Sequence, residues 1–390
     1  MNFAAAEGTT VGIVMLHRPN RVIGGIQAHV HQFESHAATR LIKTVLITPY
    51  LAPSALLYPA FGARRILGGA ANARWFEAAN MMMLRIAMRK FWRKQRFDVA
   101  YCQDPISAKI ALEIRSQYPS MRVVLAVHFN ESTADEWVGR HKVAKDSRLY
   151  VKMQQRDDLT ISQVDKLIFV SQYMRERVLG RIPAARLIDS EVIHNSAEIH
   201  ERADSPMTRD LINIGTLEPR KNHQFLLKVL AAARELGREY LLTIVGTGEL
   251  ASDLKEQANR LGLSGQVEFL GAIPDAGQMI KCHRAYVHSA NLENMPIAII
   301  EGLAARRPIL AAPVGGIPEV FRDGLEGRFW NLDDPVSAAK ILSDVLDDTE
   351  AYRSMCDAAG LRYETTFSPM VTQEPLLRAV LGRVGGFNQY

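Results

Sequence analysis

Short apolar segments alternate with longer amphipathic segments along almost the whole chain, and this alternation constrains the fold more than any other feature. Apolar runs of strand length, separated by helical patterns, are typical of buried parallel strands joined by crossover helices. We therefore predict right-handed βαβ units and doubly wound parallel sheets, which is an α/β fold. The predicted strands are Val11–Leu16, Thr44–Thr48, Val99–Cys102, Val123–Val127, Lys166–Val170, Glu191–Ile193, Leu211–Ile214, Tyr240–Val245, Val267–Leu270, Ala285–His288, Pro308–Ala311 and Gly327–Phe329.

The series of strands restarts after the polar stretch His200–Thr208, which we predict to be a linker between two domains. A chain of 390 residues exceeds the length that one hydrophobic core usually supports. We predict a Rossmann-like domain over residues 1–200, a second over 206–365, and a final segment 366–390 that packs back on the first domain. The predicted helices include Gln27–Thr39, Ala73–Lys94, Ser107–Gln117, His223–Leu236, Ala251–Leu261, Ala276–Lys281, Pro296–Ala305 and Val336–Val345.

The sign of the net charge also changes between the two halves. Residues 1–205 contain 28 basic and 19 acidic residues, and residues 206–390 contain 19 and 23, so the halves carry +9 and −4. A basic first half suits an anionic partner such as phospholipid or a diphosphate-linked substrate, and a basic surface without a partner is the alternative. The sequence contains no recognisable nucleic-acid-binding module, so we expect no nucleic-acid partner.

The three cysteines, Cys102, Cys282 and Cys356, are scattered in a pattern that fits neither a disulfide framework nor a metal site. The first ten residues lack the basic start and apolar run of a signal peptide. The stretch Thr44–Ala63 is uncharged but contains three prolines, so we predict a strand plus a loop there and not a transmembrane helix. These features predict a protein of the reducing cytoplasm.

A loop after the strand Leu211–Ile214 combines Gly215 with Arg220 and Lys221 just before a helix. Glycine permits a sharp turn, and the two cations are well suited to phosphate oxygens. A solvated basic turn is the alternative interpretation. Gly246, in the turn after the next strand, is a weaker signal of the same kind.

A second loop contains Glu293 and leads into a helix that contains Glu301. Pro296 suits the first turn of that helix, where the free amides of Ile297 and Ala298 could bind an anion. Glu301 lies on an apolar segment, and a buried carboxylate needs hydrogen-bond donors. The ribose hydroxyls of a nucleotide would supply them, and pairing with an arginine is the alternative.

Three further strand-end features point to a ligand. The pair Gly24-Gly25 opens the helix after the first strand, and Gly315-Gly316 follows a later strand. His128 follows the strand Val123–Val127, where a histidine is as well placed to bind a ligand as to play a structural role.

Taken in order, these motifs resemble the large glycosyltransferase family four, whose members have the GT-B fold and retain the anomeric configuration of the donor sugar. The resemblance runs from about Val11 to Tyr363 and is most specific across Leu211–Gly327. It implies two Rossmann-like domains that face each other across a cleft. The motifs that carry it are Gly24-Gly25, His128, Val170-Ser171 before a helix, the Gly-x5-Lys loop from Gly215 to Lys221, the Glu-x7-Glu motif from Glu293 to Glu301, and the loop from Gly315 to Glu319.

The resemblance also implies a role for each matching residue. Lys221 and the backbone of Gly25 would bind the donor diphosphate, Glu301 would bind the ribose, and His128 would contact the donor sugar. Catalytic roles fall on His128, Glu293 and Lys221. Donor-binding roles fall on Gly24, Gly25, Gly215, Thr216, Arg220, Lys221, Gly246, Ala272, Ile273, Met295, Pro296, Ile297, Ala298 and Glu301, of which Ala272 and Ile273 would meet the base.

Three positions depart from the pattern of the family. Thr216 stands where the family often has arginine, and we expect Arg220 to compensate. Asn195-Ser196 replaces the asparagine-glycine that commonly precedes the linker. Asn294-Met295-Pro296 replaces the glycine-phenylalanine-glycine that is common between the two glutamates.

The resemblance implies a retaining hexosyltransferase whose donor is GDP-mannose or a UDP-sugar. The sequence contains no Asp-x-Asp motif, so we expect no metal and no other cofactor. The acceptor would be a polyprenyl-diphosphate-linked sugar used in cell-surface polysaccharide biosynthesis, such as that of exopolysaccharide or lipopolysaccharide. Alternatives are a non-catalytic nucleotide-sugar-binding protein of this fold and an NAD-dependent oxidoreductase, although no GxGxxG motif follows a strand.

The helical pattern Ala73–Arg96 combines aromatic and basic residues, as membrane-surface helices do. It predicts peripheral attachment to the inner face of the plasma membrane. A helix that packs on the sheet is the alternative.

Overall fold

The computed structural model describes residues 9–18, 24–62, 67–129, 132–139, 141–198 and 207–382, which form two compact units. One unit comprises Met1–Ile193 and Gln373–Tyr390, and the other comprises His194–Thr372. The boundaries differ from the predicted ones at 200 and 365 because His194 packs against Phe367 and Ala197 O accepts a hydrogen bond from Tyr363. Residues 200–206 of the predicted linker lie outside the described residues.

The first unit is built on a six-stranded parallel sheet in the order β2-β1-β3-β4-β5-β6. Apolar side chains on both faces of this sheet are buried, which explains why its strands are uniformly apolar. The strands are β1 (Thr10–Val14), β2 (Lys43–Ile47), β3 (Val99–Cys102), β4 (Arg122–Val127), β5 (Lys166–Phe169) and β6 (Ser190–Val192); the helices are α1 (Gly25–Thr39), α2 (Ser54–Gly62), α3 (Gly69–Lys94), α4 (Pro105–Arg115), α5 (Thr133–Gly139), α6 (Arg148–Ile161) and α7 (Gln172–Arg181).

The second unit has its own six-stranded parallel sheet, in the order β12-β11-β10-β7-β8-β9. Numbered within the unit, this is the order 3-2-1-4-5-6 of a Rossmann fold. The strands are β7 (Arg209–Ile214), β8 (Leu242–Val245), β9 (Val267–Gly271), β10 (His283–His288), β11 (Ile309–Ala311) and β12 (Gly327–Phe329); the helices are α8 (His223–Glu235), α9 (Ala251–Arg260), α10 (Ile297–Ala304), α11 (Ile317–Val320), α12 (Pro335–Asp347) and α13 (Thr349–Arg362). The last helix, α14 (Pro369–Leu381), begins in this unit and ends in the first.

The last turns of α14 belong to the first unit. Leu376, Leu377 and Val380 are buried in one apolar cluster with Val11 of β1 and Phe33 of α1. The end of the described chain is therefore part of the core on one face of the first sheet.

All twelve predicted strands are present within two residues of their predicted bounds, which confirms the α/β class. In such sheets ligands bind outside the carboxyl ends of the strands, where the strand order reverses direction. That point lies between β1 and β3 in the first unit and between β7 and β10 in the second. Two ligand positions follow from the topology alone, one in each unit.

The prediction of a loop over the end of Thr44–Ala63 is wrong, because Ser54–Gly62 forms the helix α2 with Pro59 inside it. The missing N–H of this proline costs a single hydrogen bond in the helix. Leu57, Ala60 and Phe61 pack against α3, and this contact offsets the loss. No helix among the described residues is long and apolar enough to cross a bilayer.

Candidate active site

The loop after β7 places Lys221 at the reversal point of the second sheet. Its backbone N–H donates to Glu218 O at 3.0 Å, and its carbonyl accepts from Ser289 Oγ at 2.9 Å. Ser289 directly follows β10, so the backbone of Lys221 is fixed by both strands of the reversal point. Asn222 then adopts a left-handed conformation, with φ of 49°, and α8 begins at His223.

Arg220 is held by the same two loops. Its Nη1 donates to Leu292 O at 2.9 Å, and its Nη2 donates to Glu218 Oε1 at 2.9 Å. The Arg220 carbonyl accepts from the Asn291 N–H at 2.9 Å. Two adjacent cations are therefore positioned before any ligand binds.

Glu293 is the buried carboxylate that these cations share. Its Oε1 pairs with Lys221 Nζ and lies 3.1 Å from His288 Nε2, and its Oε2 lies 3.2 Å from Arg220 Nη1. Burial by itself would raise the pKa of Glu293, but Lys221, His288 and Arg220 hold that pKa well below the usual range. Glu293 is therefore ionised, and the cluster is a carboxylate held between two basic side chains.

Two glycines let neighbouring loops approach this cluster. Gly315 has φ of 59°, and a Cβ at that position would lie 1.8 Å from Glu293 O. Its neighbour Gly316 donates its N–H to the same oxygen at 3.0 Å. Gly246 has φ of 150°, and a Cβ there would lie 1.8 Å from Gly215 O. A side chain at either position would displace a loop that carries a predicted site residue.

The helix α10 begins at Ile297, with Pro296 as its N-cap. Its first amides, including those of Ile297 and Ala298, have no acceptor within the helix. Glu301 lies one turn further, where burial and then the charge of Asp275 raise its pKa to about 7. A Cβ on Gly277 would lie 2.5 Å from Glu301 Cδ, so the carboxyl group sits against the 3₁₀ turn Ala276–Cys282. No arginine pairs with Glu301 in the ion pairs found among the described residues.

The remaining predicted donor-binding residues of this unit lie on the loops at the same edge of the sheet. Thr216 and Ala272 are exposed, and Ile273 is half-buried. Met295 is buried, and its carbonyl accepts from Asn195 Nδ2 at 3.1 Å. The structure thus brings Arg220, Lys221, Glu293 and Met295 together, with Glu301 on the helix that follows.

Gly24, Gly25 and His128 belong to the first unit. Gly24 caps α1 with an extended backbone, and both glycines are exposed. His128 follows β4, and its Nε2 lies 3.0 Å from Gln103 Oε1, just beyond β3. Its ring packs edge-on against His29, with centroids 4.7 Å apart. Burial, followed by His29 and His17, lowers the pKa of His128 well below the usual range.

Sequence reasoning missed three buried side chains near the predicted residues. Gln103 directly follows β3 and His288 ends β10, so both lie at the carboxyl ends of strands at the two reversal points, and this position could have identified them from the sequence. His223 has no hydrogen-bond partner on either ring nitrogen among the described residues. Burial, then Lys221 and His288, lowers the pKa of His223 to about 3.

The described residues contain no group of three or more histidine, cysteine, aspartate or glutamate side chains that could hold a metal ion. A Rossmann-ordered sheet with two cations and a free helix start at its reversal point defines a protein suited to nucleotide diphosphates.

Comparison with known proteins identifies the family. The model of glycosyl transferases group 1 matches residues 195–361, and the model of glycosyltransferase family 4 matches residues 23–200. The chain belongs to the glycosyltransferases of family four, with the GT-B fold, as its motifs predicted.

Known relatives resemble the chain at low identity. Glycogen synthase of Mycobacterium tuberculosis is 24% identical over 378 residues, 90% of this chain and 89% of that protein. Phosphatidyl-myo-inositol mannosyltransferase of Mycobacterium leprae is 27% identical over 224 residues, 52% of this chain and 59% of that protein. The structure of Anabaena HepE in complex with UDP-glucose has a TM-score of 0.68 at 16% identity and covers 95% of this chain and 98% of that one. The last comparison concerns the fold alone.

Proposed function

We propose that this chain transfers a hexose from a nucleoside diphosphate-sugar to a sugar acceptor and retains the anomeric configuration. The observation that carries the proposal is the pair of cations, Arg220 and Lys221, fixed at the reversal point of a Rossmann-ordered sheet. The family match supports glycosyl transfer as the chemistry.

The two cations and the free amides of α10 would bind the donor diphosphate. Each charge-assisted hydrogen bond of this kind contributes about 1.5–3 kcal/mol. Before the donor binds, Glu293 balances Lys221 and Arg220 and keeps them in place. When the diphosphate arrives, it supplies a second anion to the same cations, so the site needs little rearrangement.

Glu301 would bind the donor ribose. Glu301 is half-buried and its pKa is raised to about 7, so its carboxyl group gains from two hydroxyl donors that stabilise the charged form. Ala272 and Ile273, beyond β9, would meet the base through their backbone. Both GDP-mannose and UDP-sugars suit this arrangement, and the structure of HepE in complex with UDP-glucose is an example of a nucleotide-sugar donor bound by this fold.

Transfer with retention requires stabilisation of the leaving diphosphate, because the leaving oxygen takes the proton of the incoming hydroxyl on the same face of the sugar. Lys221, Arg220 and the first amides of α10 would supply that stabilisation without a metal ion. His128 would contact the donor sugar as a neutral imidazole, since its pKa is low. Glu293 would keep Lys221 in position through their ion pair, and it would lie beside the sugar that is transferred.

The acceptor that we propose is a lipid-linked sugar at the cytoplasmic face of the plasma membrane, in the synthesis of a cell-surface polysaccharide. The net charge of +9 over residues 1–205 supports an anionic acceptor or surface. A relative whose name specifies phosphatidyl-myo-inositol as the mannosyl acceptor supports a lipid substrate.

A thermal-shift screen against GDP, UDP and their sugars tests the donor class, because a ligand stabilises the folded protein in proportion to ln(1 + [L]/Kd). A cognate nucleotide should raise the melting temperature, and turnover of the labelled nucleotide sugar should follow. Binding without turnover would indicate the non-catalytic alternative. No stabilisation by any nucleotide would contradict the proposal.

A further inference from the structure

One face of α3 packs into the first unit, as the alternative interpretation of this helix expected. Met83, Leu84, Met88 and Trp92 are buried, with Leu84, Met88 and Trp92 in the main core. Leu84, Met88 and Trp92 hold the helix on the sheet, and Met83 lies in the apolar cluster that α3 shares with α2. A membrane contact therefore has to use the opposite face.

The opposite face of α3 is apolar at its start and cationic at its end. Trp75 and Met82 are 40% and 45% exposed, and Arg89 is also exposed. These three residues are seven positions apart, which places them in one line at intervals of about 10 Å. Around Arg89 the exposed side chains are cations, namely Lys90, Arg93 and Lys94.

This face presents no exposed acidic side chain along the whole of α3, all of which the structure describes. The single acidic residue of the helix, Glu77, is buried and pairs with Arg156 of α6. Arg85 is satisfied by Glu113 of α4, with which it forms two hydrogen bonds. The other cations of this face are exposed to solvent, namely Arg89, Lys90, Arg93 and Lys94.

The helix α2 extends the apolar end. It contains no charged residue, and Leu56 and Tyr58 are 45% and 80% exposed. Trp75 Nε1 donates to Ala60 O at 2.6 Å, which joins α2 to the first turns of α3. Trp75 and Met82 therefore adjoin an uncharged helix on which Leu56 and Tyr58 flank the side that packs against α3, and a run of cations follows along α3.

We infer that α2 and the exposed face of α3 form a docking surface for an anionic phospholipid bilayer. Apolar and aromatic side chains enter the region of the lipid headgroups, and Lys and Arg side chains bind lipid phosphates. A second copy of the chain would bring cations against cations across such a face, so charge complementarity favours lipid. This inference rests on the proposed function, because the docking surface would bring the enzyme to a lipid-linked acceptor.

Flotation of the full-length protein with vesicles tests the docking surface. The probes are vesicles of phosphatidylglycerol with phosphatidylcholine, and vesicles of phosphatidylcholine alone. The wild-type protein should float with the anionic vesicles at low salt and lose most of this binding at high salt. It should not float with the neutral vesicles to the same extent.

Two variants remove the two halves of the surface. Replacement of Arg89, Lys90 and Arg93 by glutamine should weaken binding to anionic vesicles about 100-fold, since each cation near the surface contributes a factor of about five. Replacement of Trp75 and Met82 by serine should weaken it by about 10-fold.

Matched control variants remove the same kinds of side chain from other parts of the protein surface, and so test whether the position of these residues matters. Replacement of Lys228, Arg260 and Arg353 by glutamine removes the same charge from exposed positions of the second unit. Replacement of Leu159 and Leu187 by serine removes exposed apolar side chains elsewhere in the first unit. Both controls should float as the wild-type protein does.

The inference would be overturned if the wild-type protein did not float with anionic vesicles at low salt. It would also be overturned if the surface variants and the control variants lost vesicle binding equally. A third contradictory result is a variant at Trp75 and Met82 that abolishes a dimer of the chain and leaves flotation unchanged. Nucleotide binding measured on the same samples separates this inference from the proposed function. A protein that binds nucleotide sugar and does not float refutes the docking surface alone, and one that floats and binds no nucleotide sugar refutes the proposed function alone.

Discussion

The substitution Glu293→Gln tests whether the ion cluster of Glu293, Lys221 and Arg220 stabilises the folded protein and opposes the binding of a diphosphate. Glutamine keeps the size of the side chain but removes the charge that balances Lys221, Arg220 and, through a hydrogen bond, His288. Loss of one partner from a buried ion pair costs about 3–5 kcal/mol. Because Lys221 and Arg220 remain partly exposed to water, we expect the free energy of unfolding to fall by about 2 kcal/mol.

The same substitution should strengthen the binding of nucleoside diphosphates. It releases two cations and removes a negative charge beside the expected diphosphate, so the Kd for UDP or GDP should fall about 10-fold, which corresponds to about 1.4 kcal/mol. Transfer should nevertheless decrease, because Lys221 loses the partner that positions it.

Chemical denaturation and titration calorimetry measure these two effects separately. Glu218→Gln is the matched control, since Glu218 also pairs with Arg220 but is half-exposed. It should change stability by no more than about 0.5 kcal/mol. An unchanged Kd would show that the charge of Glu293 does not oppose the diphosphate, and a higher Kd would contradict the expected release of the two cations.

Three further predictions concern stability and cofactors. His223 has a pKa of about 3 in the folded protein, below its value in the unfolded chain, so the unfolded chain takes up the proton first as the pH falls. His223 should therefore cost about 2 kcal/mol of stability between pH 7 and pH 5, a loss that denaturation of a His223→Phe variant should not show. Gly315→Ala should destabilise by about 3 kcal/mol and abolish transfer because its Cβ would meet Glu293 O, whereas Gly324→Ala, also at positive φ but with open space around it, should cost about 1 kcal/mol in the same measurements. Transfer should continue in EDTA, and loss of activity that magnesium restores would contradict the proposed chemistry.

The strands of both sheets could be predicted from sequence because parallel strands that are buried on both faces are nearly continuous apolar runs. The loops at their carboxyl ends could be predicted for the same reason, and these loops carry Lys221, Glu293 and His128. The helix α2 could not, because Pro59 argued against it and its stability comes from packing against α3. Local propensity does not register such a contact.

The pairing of Lys221 with Glu293 was also beyond sequence reasoning. The two residues are 72 positions apart in the chain, and they meet because β7 and β10 are neighbours in the sheet. The pairing of His128 with Gln103 depends in the same way on β3 lying beside β4. For α3 the sequence showed an amphipathic helix, but only the packing of Trp92 revealed which aromatic residues are buried.

The central claim is that Lys221 binds the diphosphate of a nucleotide sugar. The most direct measurement compares Lys221→Ala with Lys228→Ala, an exposed lysine of the same unit, by titration calorimetry with the nucleotide found in the thermal-shift screen. Lys221→Ala should raise the Kd by about 10- to 100-fold, as expected for the loss of a charge-assisted hydrogen bond, and Lys228→Ala should leave it unchanged. Equal affinity of the Lys221→Ala variant and the wild-type protein would contradict the account.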